Sequence, residues 1–143
     1  MILVAGSLLF AGAACELAAY LFGPGFEERF TIIDSVRGWT LRPGFAGWTS
    51  DENHLYIRIN SDGLRDREHP RAKPPHTLRI AVLGDSYIEA LQVADNATFS
   101  RVLEAQLNEQ RAADDPHYEV LSFGIAGWGS AQELLALRHY VWQ

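Results

Sequence analysis

The chain has 143 residues, 48% of them hydrophobic, and carries 18 acidic residues against 12 Lys and Arg, a net charge of −6. That balance leaves no basic footprint for nucleic acid or for an anionic membrane surface, and the length points to one domain. The single cysteine, Cys15, excludes an intrachain disulfide and leaves the redox compartment open, and without a CxxC or HExxH string no metal or other cofactor is suggested.

The first element is an apolar run from Ile2 to Phe22, interrupted only by Glu16. Its 21 residues match the hydrocarbon thickness of a bilayer as a helix. Glu16 would cost about 2.5–3.5 kcal/mol at mid-membrane, but it lies toward the C-terminal part of the run, where it can approach the interface. Gly23-Pro24-Gly25 then breaks the helix. Residues 1–25 therefore read first as a single-pass transmembrane anchor. A cleaved signal peptide is a second reading, although the run is long and no Lys or Arg precedes it. Ala13-Ala14 before Cys15 offers a lipoprotein variant of that reading, with Gly12 a poor fit. A buried soluble helix is the third. The first basic residue after the run is Arg29, so charge does not orient an anchor.

Residues 26–77 read as an extended connecting region with a short β hairpin. Between Glu27 and Asp51, Gly38, Pro43, Gly44 and Gly47 alternate with Trp39, Phe45 and Trp48. Aromatics at this density need apolar partners, so the segment is read as loops and short extended pieces packed on the domain. A sugar-binding surface is the rival reading. His54 to Asn60 alternates Leu55, Ile57 and Ile59 with Tyr56 and Arg58, the period of a half-buried strand. Ser61-Asp62-Gly63 signals a turn, with the glycine free to take positive φ. Arg67 to His76, with Pro70, Pro74 and Pro75, is a linker.

Residues 78–143 carry an α/β pattern. Ile80 to Leu83 reads as a strand buried on both faces. Gly84 permits a tight turn, and Ser86 then sits at the strand's C-terminal end, where open α/β sheets place their ligand sites. Thr98 or Asn96 caps a helix from Phe99 to about Arg111, with Phe99, Val102, Leu103 and Leu107 on one face. Tyr118 to Phe123 is a second strand. Ser130 and Glu133 form a capping box for a helix from Ala131 to about Trp142. Strand, helix, strand, helix implies a parallel sheet with right-handed crossovers.

Three segments resemble the SGNH/GDSL hydrolases, a family of serine esterases and acyl-transfer enzymes. Gly84-Asp85-Ser86-Tyr87 stands where the family shows GDSL. Ile59-Asn60-Ser61-Asp62-Gly63-Leu64-Arg65-Asp66 looks like the N-S-x-G-x-R-D segment upstream of that block in many membrane-anchored bacterial members. Gly124-Ile125-Ala126-Gly127-Trp128-Gly129-Ser130 resembles the second block, and Gly127 matches its oxyanion glycine. The resemblance implies a partial flavodoxin-like sheet, Ser86 as nucleophile, and the Ser86 and Gly127 amides as oxyanion donors. Asp85 would order the turn rather than react, with Gly84 supporting it. The implied substrate is an ester-linked acyl group on a small molecule or carbohydrate. An N-terminal anchor on such proteins places the domain outside the cytoplasm.

The serine hydroxyl needs a base. The family supplies it from a C-terminal Asp-x-x-His block, and a third block adds an asparagine. Neither follows Gly127, and two core strands fall short of the about five of a flavodoxin-like sheet. The chain therefore reads as the N-terminal portion of a longer enzyme. Asp66 with His69 and Asp114 with His117 repeat the Asp-x-x-His spacing. The first lies in the linker and the second at the opposite edge of the sheet from Ser86, so neither is read as the catalytic pair. His139 is read as a surface or packing residue. A rival from another class is a non-catalytic anchored module that binds a glycan or anion with the Gly84–Ser86 and Gly124–Gly129 loops. A phosphate-binding flavodoxin-like half is weaker, because the first loop has one glycine and no lysine.

Overall fold

The computed structural model describes residues 2–22, 30–49 and 54–142. Helix α1 covers Ile2–Phe22. Its described side chains run without a break from Val4 to Ala19, about 24 Å of helix, and all are exposed. Among the described residues no helix is long and apolar enough to cross a membrane. The expected transmembrane span is thus not supported by them, and the expected break at Gly23–Gly25 lies outside them.

The connecting region forms two hairpins where the sequence suggested one. Strands β1 (Thr31–Asp34) and β2 (Gly38–Leu41) pair antiparallel, with Thr31 opposite Leu41 and Asp34 opposite Gly38. The Asp34 carboxylate closes their turn by accepting the N–H groups of Val36 and Arg37 and the Arg37 guanidinium. Strands β3 (Ala46–Trp48) and β4 (Tyr56–Arg58) pair in the same sense. Alternation holds in β4, where Ile57 is buried between exposed Tyr56 and Arg58. The strand read over His54–Asn60 shortens to three residues because β3 offers only three to pair with. The turn at Gly63 is as expected: its φ is +75°, and a Cβ there would lie 2.7 Å from the Leu41 carbonyl oxygen.

Strands β5 (Thr77–Gly84) and β6 (His117–Gly124) pair in parallel, with Thr77 opposite His117 and Gly84 opposite Gly124. Between them come α2 (Ser86–Glu89), a 3-10 turn at Asp95–Ala97 and α3 (Phe99–Gln110). After β6 come α4 (Ser130–Ala136) and a π-helical turn, Leu137–Val141. Leu41, Ile57, Ile59, Leu64, Phe123, Ile125, Trp128 and Ala136 form one buried cluster. Both hairpins and α4 therefore share a core on one face of the sheet. Arg37 bridges these parts, its guanidinium 4.1 Å from the Tyr140 ring centroid and 5.7 Å from that of Trp128.

Several local expectations shift. The sequence read β5 as buried on both faces, but from Arg79 to Leu83 it is only half-buried, since it pairs on one side only. Gly84 does not take positive φ. Its missing side chain instead leaves room for Ile88, against which any Cβ would collide. The cap of α4 moves back one residue: Gly129 precedes the helix, and its N–H donates to Gln132 Oε1 at 3.1 Å. Glu133 is not the partner. Thr98 does precede α3, but its hydroxyl turns back to the Asp95 carbonyl instead of capping.

Helix α3 also departs from its apolar stripe, leaving Phe99 55% and Val102 41% exposed. It meets β6 through polar groups. The Asn108 carboxamide both accepts the Tyr118 N–H and donates to the Tyr118 carbonyl, and Glu104 accepts the Val120 N–H at 2.8 Å. An edge strand needs partners for its outward backbone groups, and α3 supplies them with side chains.

Candidate active site at the C-terminal edge of the parallel pair

Because Gly84 pairs with Gly124, the two core strands end level with each other. The Ile125 N–H then donates to the Gly84 carbonyl at 3.4 Å, which continues the ladder one step into the second loop. Two loops with different sequences thus leave the same edge. One carries Asp85 and Ser86, the other Gly127.

Asp85 caps α2. Its carboxylate accepts the Tyr87 N–H at 3.0 Å, so it orders the turn. Ser86 is the first residue of α2 and is half-buried, while Tyr87 beside it is 86% exposed. Ile88 faces inward. It fills the space left by both strand-end glycines, and a Cβ on Gly124 would lie 2.5 Å from Ile88 Cβ. The pair of glycines therefore lets α2 sit directly on the ends of β5 and β6.

The second loop is held from three sides. Gly127 has φ +80°, a conformation that favours glycine, with the Trp39 ring 3.4 Å from where a Cβ would stand. Trp39 Nε1 donates to the Ala126 carbonyl at 3.0 Å, and Trp128 Nε1 donates to the Trp39 carbonyl at 3.2 Å. The Ala126 N–H donates to Glu89 Oε2 at 2.6 Å. Glu89 is 2% exposed. Burial raises its carboxyl to about 6, against the opposing pull of the Ala126 N–H and the Arg65 charge.

Arg65 joins the upstream segment to this assembly. Its guanidinium donates to the carbonyls of Glu89, Ala90 and Val93. The first two of those carbonyls terminate α2, where Ala90 takes φ +54°. Burial lowers the Arg65 pKa, although the Asp95 and Glu89 charges oppose it. The three segments that look like family blocks are therefore linked through α2 and the turn that follows it. Glu89, Arg65 and Trp39 are the residues that sequence reading missed as parts of the site. Arg65 carried a signal, through its place in the N-S-x-G-x-R-D-like segment; Glu89 and Trp39 carried none.

The two Asp-x-x-His strings differ. His117 opens β6 opposite Thr77, at the far end of the sheet from Ser86. Asp66 and His69 do form a pair: His69 Nε2 lies 3.2 Å from Asp66 Oδ2, with side chains 8% and 3% exposed. The Asp66 carboxylate also accepts the Ser122 N–H at 2.9 Å, as part of the cover on the β6 edge. His69 lines a cavity of about 450 Å³ and Asp66 one of about 650 Å³, and neither cavity includes Ser86 or Gly127. Among the described residues no carboxylate or imidazole is hydrogen-bonded to the Ser86 hydroxyl, and no group of three side chains could hold a metal. His139 is exposed.

No family model matches the chain, and no curated protein matches it.

Proposed function

We propose that this chain carries the nucleophile-bearing part of an SGNH/GDSL-type serine esterase or acyl-transfer domain. Ser86 attacks the acyl carbon of an ester, and the Ser86 and Gly127 amides receive the developing oxyanion. One such donor is typically worth about 2.7–4 kcal/mol. The substrate is an acyl ester of a small molecule or carbohydrate. The base that activates Ser86 is not among the groups bonded to it in the described residues.

The observation that carries this reading is the level ending of β5 and β6 at Gly84 and Gly124, with one short helix both presenting Ser86 and bonding the Gly127 loop. The test is hydrolysis of p-nitrophenyl acetate by the full gene product. Ser86→Ala is expected to abolish turnover while the fold persists by circular dichroism. Retained turnover would sink the assignment.

The separation of Ser86 from the Asp66–His69 pair and from His117 favours a second reading, a binding module that uses the same two loops for a glycan or an anion. Titration with acetylated and deacetylated saccharides separates the two: binding without turnover selects the module.

Residues 2–22 are proposed as a membrane anchor, with the domain outside the cytoplasm. The support is an apolar helix whose described side chains are all exposed. Carbonate extraction of membranes tests it, since an anchored chain stays in the pellet and is released only by detergent.

A further inference from the structure

The loop after β6 turns at Ile125–Trp128. The Trp128 N–H donates to the Ile125 carbonyl at 3.1 Å and closes a four-residue turn with Ala126 and Gly127 at its centre. Gly127 has φ +80°, whereas Ala126 does not take positive φ. That combination is a type II turn. A type I turn spans the same four residues with the same closing bond. The two forms differ in their central peptide, here Ala126–Gly127, which is turned over by roughly 180°. The N–H of that peptide is the Gly127 N–H, and among the described residues nothing accepts it. Its direction therefore depends on which turn forms.

The loop's own residues do not make that choice. Glycine permits the positive φ of a type II turn, but it adopts the negative φ of type I as readily. The deciding contact comes from outside the loop. Trp39 Nε1 donates to the Ala126 carbonyl at 3.0 Å. In a trans peptide the carbonyl oxygen and the amide hydrogen lie in one plane and point in opposite directions. A donor that holds the oxygen therefore also aims the N–H, and turning the peptide over would carry the oxygen away from the indole. A carbonyl that accepts a hydrogen bond also polarises its own peptide, which strengthens the N–H as a donor. The preceding peptide is tied as well, by the bond from the Ala126 N–H to Glu89 Oε2 at 2.6 Å. Trp39 is held in turn. It pairs with Ile33 in the β1–β2 hairpin, and its carbonyl accepts Trp128 Nε1 at 3.2 Å.

We propose that Trp39 is the positioning residue of the oxyanion site: its indole N–H selects the type II form of the turn and so aims the Gly127 N–H. This role rests on the proposed function of Gly127 as an oxyanion donor. Trp39 acts through one peptide rather than on the substrate, from 87 positions upstream of Ala126. The β1–β2 hairpin thereby becomes part of the site instead of a mere connection. The bond from Trp39 to Ala126 is exposed. When the indole is lost, water can satisfy the carbonyl, and it can do so in either form of the turn. Losing the indole N–H therefore removes the selection without leaving a buried group unpaired.

The test is Trp39→Phe, which keeps an aromatic ring beside Gly127 and removes the donor. In the full gene product with p-nitrophenyl acetate, kcat is expected to fall on the order of tenfold, part of the about 10²–10³-fold that a whole donor is worth. KM should stay within about twofold, because the donor acts on the oxyanion and not on the resting ester. A second readout needs no turnover. In the isotope-labelled full chain in a mild non-ionic detergent, a type II turn sets the Ala126 Hα beside the Gly127 N–H and gives a strong NOE between them. In Trp39→Phe that NOE is expected to weaken on the order of twofold as type I becomes populated, with the fold retained by circular dichroism. An unchanged NOE in the variant would overturn the role of Trp39. So would full turnover by Trp39→Phe beside an inactive Ser86→Ala, a result that leaves the proposed function standing. Turnover kept by Ser86→Ala would sink both together. If the variant does not fold, the parent chain still decides, since a weak NOE there would mean that the type II form is not selected.

Discussion

The two outer edges of the parallel pair have the same backbone and opposite fates. Along β6, three outward N–H groups meet an amide and two carboxylates drawn from α3 and from Asp66. Along β5, the equivalent groups of Arg79, Ala81 and Leu83 meet nothing among the described residues. The difference is not one of strand propensity, since Ile80–Leu83 is the more apolar run. It lies in what the chain places beside each strand. The crossover helix returns along β6 with its polar side turned to the edge. An edge closed in this way is part of the folded unit, whereas an open one is an unspent valence.

The largest expected effect comes from opening the closed edge at Asp66. That carboxylate takes the Ser122 N–H at 2.9 Å, the His69 imidazole at 3.2 Å and, more loosely, Arg101 at 3.4 Å. Asp66→Ala leaves the Ser122 N–H and the His69 imidazole without this acceptor in a buried place, while Arg101 keeps Asp95, and breaking a buried pair in this way costs about 3–5 kcal/mol. Urea denaturation would read the loss as a lower midpoint at unchanged slope. A loss below 1 kcal/mol would mean that the edge is closed by something else.

Glu104→Ala is expected to cost less, about 1–3 kcal/mol, the penalty of one buried donor left unpaired. Val120 is fully buried and loses its acceptor, while Arg67 is largely exposed and can turn to water. Native-state hydrogen exchange should show the Val120 amide opening before that of Leu121, which faces β5. Equal exchange at the two positions would contradict the parity of the ladder.

The same device, a carboxylate accepting a backbone N–H, holds Ala126 through Glu89. Here burial raises the carboxyl from 4.5 to about 6. The folded state therefore favours the protonated acid. Its contribution is fully present below pH 4.5 and is lost as pH rises through about 6, a change of about 2 kcal/mol. Glu89→Gln keeps an oxygen for the Ala126 N–H and removes the titration. Its stability should lack that decline, so the variant gains on the parent between pH 5 and 7. A parallel pH profile for the two proteins would show that Glu89 does not titrate in this window.

How much of this could be read in advance follows from distance along the chain. The turn at Gly63, helix α3 and the two core strands rest on patterns a few residues long, and the sequence reading found them. The pairing of β1 with β2 was missed, because Gly38 and its neighbours show no alternation to mark them as strands. The bonds that assemble the candidate site span much more: Arg65 reaches residues 89 to 93, Glu89 reaches Ala126, and Trp39 reaches Ala126 across 87 positions. No periodicity records such contacts. Gly84 shows a subtler gap. Its identity was read as freedom to turn, whereas the fold uses its lack of a side chain to admit Ile88. Both explanations demand glycine, so sequence alone could not choose between them.

The smallest effect sharpens the comparison most directly. Leu78 sits on the open strand, is 46% exposed, and shares its face with Ile80 and Val82. Threonine brings a β-branched preference for strand and adds a hydroxyl that water can reach. If β5 is open, Leu78→Thr should change the stability of the fold by only about 0.5 kcal/mol, as surface substitutions usually do. Urea denaturation reads the change. A loss as large as that of Glu104→Ala would mean instead that the outer edge and face of β5 are covered.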